Sequence, residues 1–243
     1  MTEGWTPLPW DSEFFGFSIG KVDLDGADER AILELEADAR AAGVVCLYGS
    51  ANPADRYLTY LAQVLRWRFV DAATLFKLRV DEPPIPRPPE INFRLGTADD
   101  LPALTDIVAK LADWSRFAID PRFGREAALR LQRAWVERAA TSTTGEHALM
   151  VAEAASGIVS FITRATHPHP VVDTVGATAR GPGSARYLIQ EARSWAGDRP
   201  LLGGPIAARN VGALRYVSHC GYRVKSVRYL YHRWLDEDGA VAR

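Results

Sequence analysis

Five of the seven residues from Pro83 to Pro89 are proline, and this run constrains the fold more than any other feature. Proline has no backbone N–H and its ring fixes φ, so the run cannot continue a helix or a central strand. We therefore expect a stiff, extended linker over 81–90. It predicts a small N-terminal domain over 1–80 and a larger domain over 91–243, roughly 80 and 150 residues long, both within the usual range of domain sizes.

The composition argues against two classes of partner. Lys and Arg total 29 and Asp and Glu total 30, so the net charge of −1 lacks the basic character of nucleic-acid-binding proteins. The apolar runs are far shorter than the roughly 18 residues that a membrane-spanning helix needs. We expect neither nucleic acid nor a membrane as a partner.

The two cysteines, Cys46 and Cys220, have the spacing of neither a disulfide framework nor a metal site. Each is more typical of a small buried hydrophobe than of a reactive thiol, and no metal is expected. The first residues lack the basic segment and apolar stretch of a signal peptide. These features predict a reduced, cytoplasmic protein.

Apolar periodicity predicts a mixed α/β protein. In the first domain it indicates strands over 17–24, 44–49 and 69–80 and helices over 27–42 and 55–65. In the second it indicates strands over 91–95, 148–153, 157–163, 171–179, 201–207 and 222–234, with helices from 101, over 125–139, from 185 to 195, and over 210–219. Thr97 and Asp100 have the spacing of a capping box before the helix that starts at 101.

Residues 180–185 (RGPGSA) join a predicted strand to a predicted helix. Gly181 and Gly183 would let backbone N–H groups approach an anion, and the helix dipole would favour its charge. The segment lacks the Gly-Lys-Ser/Thr ending of a P-loop and the βαβ surroundings of a dinucleotide fingerprint. Taken alone, it is also compatible with a purely structural strand–helix turn.

The same segment fits the pattern Arg/Gln-x-x-Gly-x-Gly/Ala, the acyl-CoA diphosphate loop of the GNAT (Gcn5-related) N-acetyltransferases. Residues 210–214 (NVGAL) resemble the Asn-x-x-Ala helix of that superfamily, and Gly221-Tyr222 its closing glycine-aromatic pair. The order of elements from residue 91 agrees as well. The resemblance implies a GNAT fold, a mostly antiparallel sheet with a splayed acyl-CoA cleft, and acetyl-CoA as the acyl donor.

A narrower resemblance is to the dTDP-fucosamine N-acetyltransferases, which act on dTDP-4-amino-4,6-dideoxygalactose. It is carried by residues 10–16 (WDSEFFG), 115–117 (SRF), 120–123 (DPRF), 135–137 (WVE) and 224–229 (VKSVRY). It implies direct transfer of an acetyl or short acyl group to a primary amine on a nucleotide-linked aminosugar, without a covalent intermediate. Because many of these relatives dimerise, it also implies a homodimer.

The resemblance assigns roles to residues around the cleft, between the strands over 171–179 and 201–207. The backbone of Val175, Gly176, Ala177 and Thr178 would hold the pantetheine arm, and the diphosphate loop would comprise Arg180, Gly181, Gly183, Ser184 and Ala185. Asn210 would bind the pantetheine, or alternatively cap the last helix.

The acid that protonates the departing thiolate is not obvious. In relatives a tyrosine is this acid, and the equivalent position here is Val217, which has no proton to donate. Tyr216, one residue earlier and about 100° around the helix, is the candidate catalytic residue. The alternatives are that Tyr216 is a packing aromatic, or that Ser218, His219 or a water donates the proton.

For the acceptor, the candidates are Arg116 and Asp120, because Arg suits a phosphate and Asp suits a hydroxyl or an ammonium. An Arg–Asp pair that only holds the loop is the alternative. His167 and His169 could deprotonate the amine, although histidines in a proline-rich turn are commonly just solvated.

Two rival functions follow from departures in this sequence. The predicted strand over 201–207 contains Gly203-Gly204-Pro205, and proline removes a ladder donor, although a splayed strand beside a ligand tolerates that loss. One rival is an acyltransferase of the same fold acting on the amine of a secondary metabolite or an amino acid. The other, suggested by Val217 and the weak strand, is an acyl-CoA-binding module that has lost catalysis.

Overall fold

The computed structural model describes residues 4–78, 86–166, 168–178 and 182–237. The chain divides into two compact units, Met1–Ala73 with Val227–Arg243, and Thr74–Ser226. Two long strands contribute residues to both units: β4 (Arg68–Leu78) and β10 (Tyr222–Trp234). Because residues 81–85 of the expected linker lie outside the described residues, its role as a domain boundary stays a prediction.

The first unit is a small sheet with helices between its strands. Its remaining elements are β1 (Thr6–Pro7), α1 (Pro9–Phe15), β2 (Ile19–Asp23), α2 (Glu29–Ala41), β3 (Cys46–Ala51) and α3 (Arg56–Val64). The strand order is β1-β2-β3-β10-β4, with β2 parallel to β3 and β10 antiparallel to β3.

Short acidic side chains start both long helices of this unit. The Asp28 carboxylate accepts a hydrogen bond from the Ala31 N–H at 2.8 Å, and the Asp55 carboxylate accepts one from the Leu58 N–H at 2.8 Å. Each bond satisfies a first-turn donor that has no partner within the helix. On α2 the buried residues are Ile32, Glu36 and Ala39, which share one helix face.

That helix face carries a buried ion pair. The Glu36 carboxylate lies 2.9 Å from the Arg233 guanidinium, and both side chains are at most 5% exposed. The other Glu36 oxygen accepts a hydrogen bond from the Trp67 indole N–H at 2.7 Å. The charge is therefore both paired and hydrogen-bonded, as a buried carboxylate requires.

The second unit is a larger, mostly antiparallel sheet. Its remaining elements are β5 (Asn92–Leu95), α4 (Leu101–Ala112), α5 (Arg116–Ile119), α6 (Gly124–Thr141), β6 (His147–Ala154), β7 (Gly157–Ala165), β8 (Val171–Ala177), α7 (Pro182–Ala196), β9 (Leu202–Ala207) and α8 (Val211–His219). The strand order is β10-β4-β9-β8-β7-β6-β5. Strands β5 to β8 are antiparallel neighbours, and β9 is parallel to β8.

The capping box predicted at Thr97 is present. The Asp100 carboxylate accepts a hydrogen bond from the Thr97 N–H at 2.9 Å and two from the Arg94 guanidinium at 2.8 Å each. The hydrogen bonds from Arg94 are the main cause that lowers the pKa of Asp100 below its usual value. The entry to α4 is thereby tied to β5.

The two units share one arrangement of elements. In each, a strand-helix-strand-helix-strand run (β2 to β4, β8 to β10) begins with two parallel neighbours. In each, a strand from elsewhere in the chain lies between the second and third strands of the run: β10 between β3 and β4, and β4 between β9 and β10.

The structure confirms the mixed α/β class and most of the predicted elements. It adds short elements that apolar periodicity did not indicate, namely β1, α1 and α5. These are two to seven residues long, too short for a helical or strand period to be recognised. Within the described ranges, no helix combines the length and the apolar character required to cross a membrane.

Candidate active site

Strands β8 and β9 separate soon after they begin. Their parallel pairing covers only Val171 opposite Leu202 and Val172 opposite Gly203. Pro205 follows in β9 and has no N–H with which to continue the ladder. The corresponding parallel pair of the first unit, β2 and β3, stays paired over all five residues of β2, Ile19–Asp23.

At the point where the two strands begin to separate, the backbone of Gly204 lies unusually close to that of Asp173. A Cβ added to Gly204 would lie 2.8 Å from the carbonyl oxygen of Asp173, closer than real side chains approach a backbone. Asp173 is also the extra residue of a β-bulge, since Thr174 pairs with Thr163 and Val172 with the next residue, Arg164. Bulges bend a strand locally, and this one bends β8 at the residue where β9 leaves it.

Beyond Asp173, the β8 edge that faces β9 has no strand partner among the described residues of β9. Of the residues expected to bind pantetheine, Val175 packs partly against the apolar core and Gly176 lies under α4. A Cβ at Gly176 would lie 2.5 Å from Phe161 and 2.7 Å from Ile107, so glycine is required for this packing. Ala177 is the last residue of the strand. The Thr178 N–H donates a hydrogen bond to the Val159 carbonyl at 2.8 Å.

Helix α7 is the next element after β8 and begins at Pro182, within the segment 180–185 that predicts a strand–helix junction. The N–H groups of its first turn have no acceptor within the helix and are oriented for an anion. A Cβ at Gly183 would meet nothing within 4 Å, so this turn borders open space. Arg180 and Gly181 lie outside the described residues.

The first turn of α7 is attached to the sheet by two serines. The hydroxyls of Ser184 and Ser160 lie 2.6 Å apart, and both residues are buried. The neighbouring Ala185 is buried as well. The Ser184 hydroxyl is therefore used inside the protein, and the contact of this residue with a diphosphate stays a prediction.

Asn210 caps α8. Its side-chain oxygen accepts a hydrogen bond from the Ala213 N–H at 3.0 Å, and its carbonyl accepts one from Leu214 at 3.0 Å. Of the two roles expected for Asn210, the structure shows the helix cap, and the contact with pantetheine stays a prediction.

Tyr216 and Val217 both face the apolar core under α7 and α8. The Tyr216 hydroxyl is buried and makes no hydrogen bond of ordinary geometry to a described residue. Burial raises its pKa well above the usual value, and the nearby Cys220 thiol raises it further. This surrounding favours the packing interpretation of Tyr216, and its expected role as the acid stays a prediction.

The two acceptor candidates lie around the short helix α5. The Arg116 guanidinium stacks over the Phe117 ring, 4.6 Å from its centroid. Asp120 is fully buried, and its carboxylate accepts a hydrogen bond from the Arg122 N–H at 3.0 Å. The burial of Asp120 favours the loop-holding alternative, and a contact with substrate stays a prediction for both residues.

Sequence reasoning missed Arg209, which holds the turn between α4 and α5. Its guanidinium donates to the Asp113 carbonyl at 2.9 Å and the Ser115 carbonyl at 3.1 Å, and it lies 5.6 Å from the Trp114 ring centroid. Because Arg209 lies two residues after the end of β9, it ties this turn to the end of the strand that leaves β8. Nothing in a sequence reports which carbonyls a surface arginine will reach.

Of the histidines considered as bases, His169 is exposed and His167 lies outside the described residues. The structure instead brings Asp173 to the separation of β8 and β9. Asp173 is exposed, and nearby protein atoms raise the pKa of its carboxyl to about 6 by partial desolvation. The signal in the sequence was a lone carboxylate within the apolar strand VVDTVGA.

No protein-family model matches the chain, and no curated protein matches its sequence. Among solved structures, a GCN5-related N-acetyltransferase from Sphaerobacter thermophilus is similar, with 16% identity, a TM-score of 0.55, and coverage of 89% of this chain and 73% of that one. A GCN5-related N-acetyltransferase from Kribbella flavida has 15% identity and a TM-score of 0.56, covering 88% and 80%. A functionally unknown conserved protein from Staphylococcus epidermidis has 13% identity and a TM-score of 0.60, covering 90% and 84%.

At these identities the likeness concerns the fold. The chain has the GNAT fold, a mixed α/β architecture with a large, mostly antiparallel sheet.

Proposed function

We propose that the chain is a CoA-dependent N-acyltransferase that moves an acetyl group from acetyl-CoA to a primary amine. The observation that carries the proposal is the separation of β9 from β8 after Val172, in the strand that precedes α7 in the chain. An unpaired strand edge can hydrogen-bond an extended amide chain, and a helix N-terminus can bind a diphosphate. Acetyl-CoA carries both groups in one molecule.

The dimensions of the cleft agree with this donor. At about 3.3 Å per residue, the run from Asp173 to Thr178 spans about 17 Å, enough for an extended pantetheine arm. With the diphosphate at the first turn of α7, the thioester would lie near Asp173, where the strands begin to separate.

The chemistry proposed is direct attack by the neutral amine on the thioester carbonyl, without an enzyme nucleophile. Both cysteines are buried, in agreement with a mechanism that does not use them. The developing oxyanion would be stabilised by a backbone N–H of β8.

For the acceptor, we propose the amine of a nucleotide-linked aminosugar. This finer assignment is supported by the resemblance of residues 115–117 and 120–123 to the dTDP-fucosamine N-acetyltransferases. Arg116 would bind a phosphate of the nucleotide, since guanidinium groups suit such anions.

Calorimetric titration with acetyl-CoA tests the donor, and thiol release with a panel of amines tests the transfer. We expect saturable binding of acetyl-CoA and CoA thiol release that depends on the amine, fastest with dTDP-aminosugars. Turnover only with amino acids or other non-sugar amines would agree with the proposed acyl transfer but contradict the proposed aminosugar acceptor. Binding without turnover on any amine would favour the binding module, and no binding would contradict the proposal as a whole.

Replacing Tyr216 with phenylalanine is expected to change kcat by less than about threefold, because an acid normally contributes far more. The buried hydroxyl makes no well-formed hydrogen bond whose loss would disturb the site. The measurement is thiol release between pH 6 and 9. Tyr187→Phe, on a partly exposed ring packed against Phe93, is a matched control. A large drop in kcat for Tyr216→Phe alone would identify Tyr216 as the acid.

A further inference from the structure

We propose that Arg209 is a positioning residue for the acceptor: it holds the turn between α4 and α5, against which the part of the acceptor remote from the reacting amine binds. The inference rests on the proposed acyl transfer and follows from the place of this turn relative to the cleft and from the contacts of Arg209.

The two faces of the larger sheet are covered by different pairs of helices. Consecutive residues of β6 alternate between two cores: Met150 and Ala152 pack with α7 and α8, whereas Leu149 and Val151 pack with α4 and α6. A donor held by the first turn of α7 therefore occupies the α7 face. The opposite face, on the side of α4, is left for the acceptor.

The turn between α4 and α5 lies beside the wide end of the cleft. Ile107, in the middle of α4, packs at Gly176, close to the end of β8. Arg209, two residues beyond the end of β9, reaches the first residues after α4. Because β8 and β9 are parallel, both contacts place the turn at the end where the strands are apart. An acceptor whose amine reaches the thioester would extend outward past this turn.

Arg209 bridges the end of one helix and the start of the next. Asp113 is the C-cap of α4 and Ser115 the N-cap of α5, and their carbonyls accept hydrogen bonds from the guanidinium at 2.9 and 3.1 Å. Carbonyls at a helix C-terminus lack partners within the helix and favour a nearby cation. The planar fork of an arginine can donate to two carbonyls at once, so one side chain fixes both caps.

The backbone of Arg209 is itself held in place. It lies in a turn closed by the hydrogen bond from the Asn210 N–H to the Ala207 carbonyl at 2.9 Å, and Asn210 caps α8. The turn that Arg209 holds presents the Trp114 ring, which is 42% exposed, and is followed by Arg116, the first residue of α5. A displacement of the turn would carry both side chains away from the acceptor.

A second arginine reaches the same turn from a different element. Arg125 pairs with the Asp113 carboxylate at 2.6 Å, but both side chains are more than half exposed, so the pair contributes little. It belongs to α6 and not to the segment after the strand that bounds the cleft. Arg125→Ala is therefore the matched control for Arg209→Ala.

The test is Arg209→Ala, assayed with the fastest acceptor of the panel and with its amine-bearing fragment, which for a dTDP-aminosugar is the free aminosugar. We expect kcat/KM for the whole acceptor to fall about 100-fold, the effect that a displacement of about 1 Å can have. For the fragment, which does not reach the turn, kcat/KM should stay within about threefold of the parent value, as should the Kd of acetyl-CoA. Arg125→Ala should leave all three unchanged.

The conservative variant separates position from charge. Arg209→Lys keeps the charge but lacks the planar fork, so it should recover only part of the kcat/KM that Arg209→Ala loses with the whole acceptor. It also serves in place of Arg209→Ala if the alanine variant does not fold.

Amide hydrogen exchange tests the hold on the turn without turnover. Arg209→Ala should speed exchange over 114–118 by about tenfold or more, because the turn can then open locally. The N–H groups of Trp114 and Ala118 are hydrogen-bonded at 3.1 Å each, so their exchange reports this opening. Arg125→Ala should leave these rates unchanged.

The inference is overturned if Arg209→Ala keeps kcat/KM for the whole acceptor within about twofold of the parent, or if whole acceptor and fragment lose activity equally. It is overturned as well if exchange over 114–118 is unchanged, or if the fastest acceptor is too small to reach the turn. Weakened acetyl-CoA binding equal to the loss in kcat/KM would also overturn it, because Arg209 would then only support β9. Absence of turnover by the parent with every amine is a different result, because it contradicts the proposed function itself.

Discussion

Replacing Glu36 with alanine is expected to lower the free energy of unfolding by about 3–5 kcal/mol, the cost of removing one partner of a buried ion pair. The substitution leaves the Arg233 guanidinium without its carboxylate and the Trp67 indole N–H without its acceptor, in a region that water does not reach. Urea denaturation followed by circular dichroism measures the effect.

A neighbouring residue on α2 provides the control for this prediction. Glu34 pairs with Arg30 at 2.7 Å, but its side chain is 64% exposed, so Glu34→Ala should hardly change stability. If Glu36→Ala were no more destabilising than Glu34→Ala, the Glu36–Arg233 pair would not support the first unit. Glu36→Gln should fall between the two, because it keeps the shape and one acceptor while removing the charge.

Replacing Gly204 with alanine is expected to weaken acetyl-CoA binding at least tenfold and to destabilise the protein by about 1–3 kcal/mol, as overpacking commonly does. The added methyl group would lie 2.8 Å from the Asp173 carbonyl oxygen, and a backbone atom cannot rotate away as a side chain can. The two strands would have to shift at the start of the cleft. Calorimetric titration and thermal unfolding measure the two effects.

Gly212→Ala makes the same chemical change in α8, where the new Cβ would lie 3.8 Å from the Asn210 side-chain oxygen, an ordinary contact. We expect it to be neutral or slightly stabilising, since alanine favours a helix over glycine. Equal effects of the two substitutions on acetyl-CoA binding would mean that the close approach at Gly204 does not shape the cleft.

Several features of the site could be predicted from local sequence because their causes are local. The glycine-containing segment before α7 marks a strand–helix junction, and Asn210 lies where an N-cap stabilises α8. Pro205 lacks a donor wherever it is placed, so a weak point in β9 could be predicted before its partner strand was known.

Other features could not be predicted, because they depend on which distant segments meet. The pairing of Arg233 with Glu36 joins residues far apart in the chain. The sharing of β4 and β10 by both units follows from strand order, which apolar periodicity does not encode. The sequence made Asp120 a candidate for contact with the substrate, whereas the structure buries it completely.

The sequence by itself determined the mixed α/β class, the caps at Thr97 and Asn210, and the place where a strand leads into a helix with glycine in its first turn. These depend on the conformational limits of glycine and proline and on hydrogen bonds a few residues long. The resemblance implied that β8 and β9 splay apart. Only the tertiary structure showed that they separate after Val172, at Asp173, whereas β2 and β3 stay paired. Pairing between strands and the desolvation of a carboxylate are properties of neighbours in space, which residue order alone does not specify.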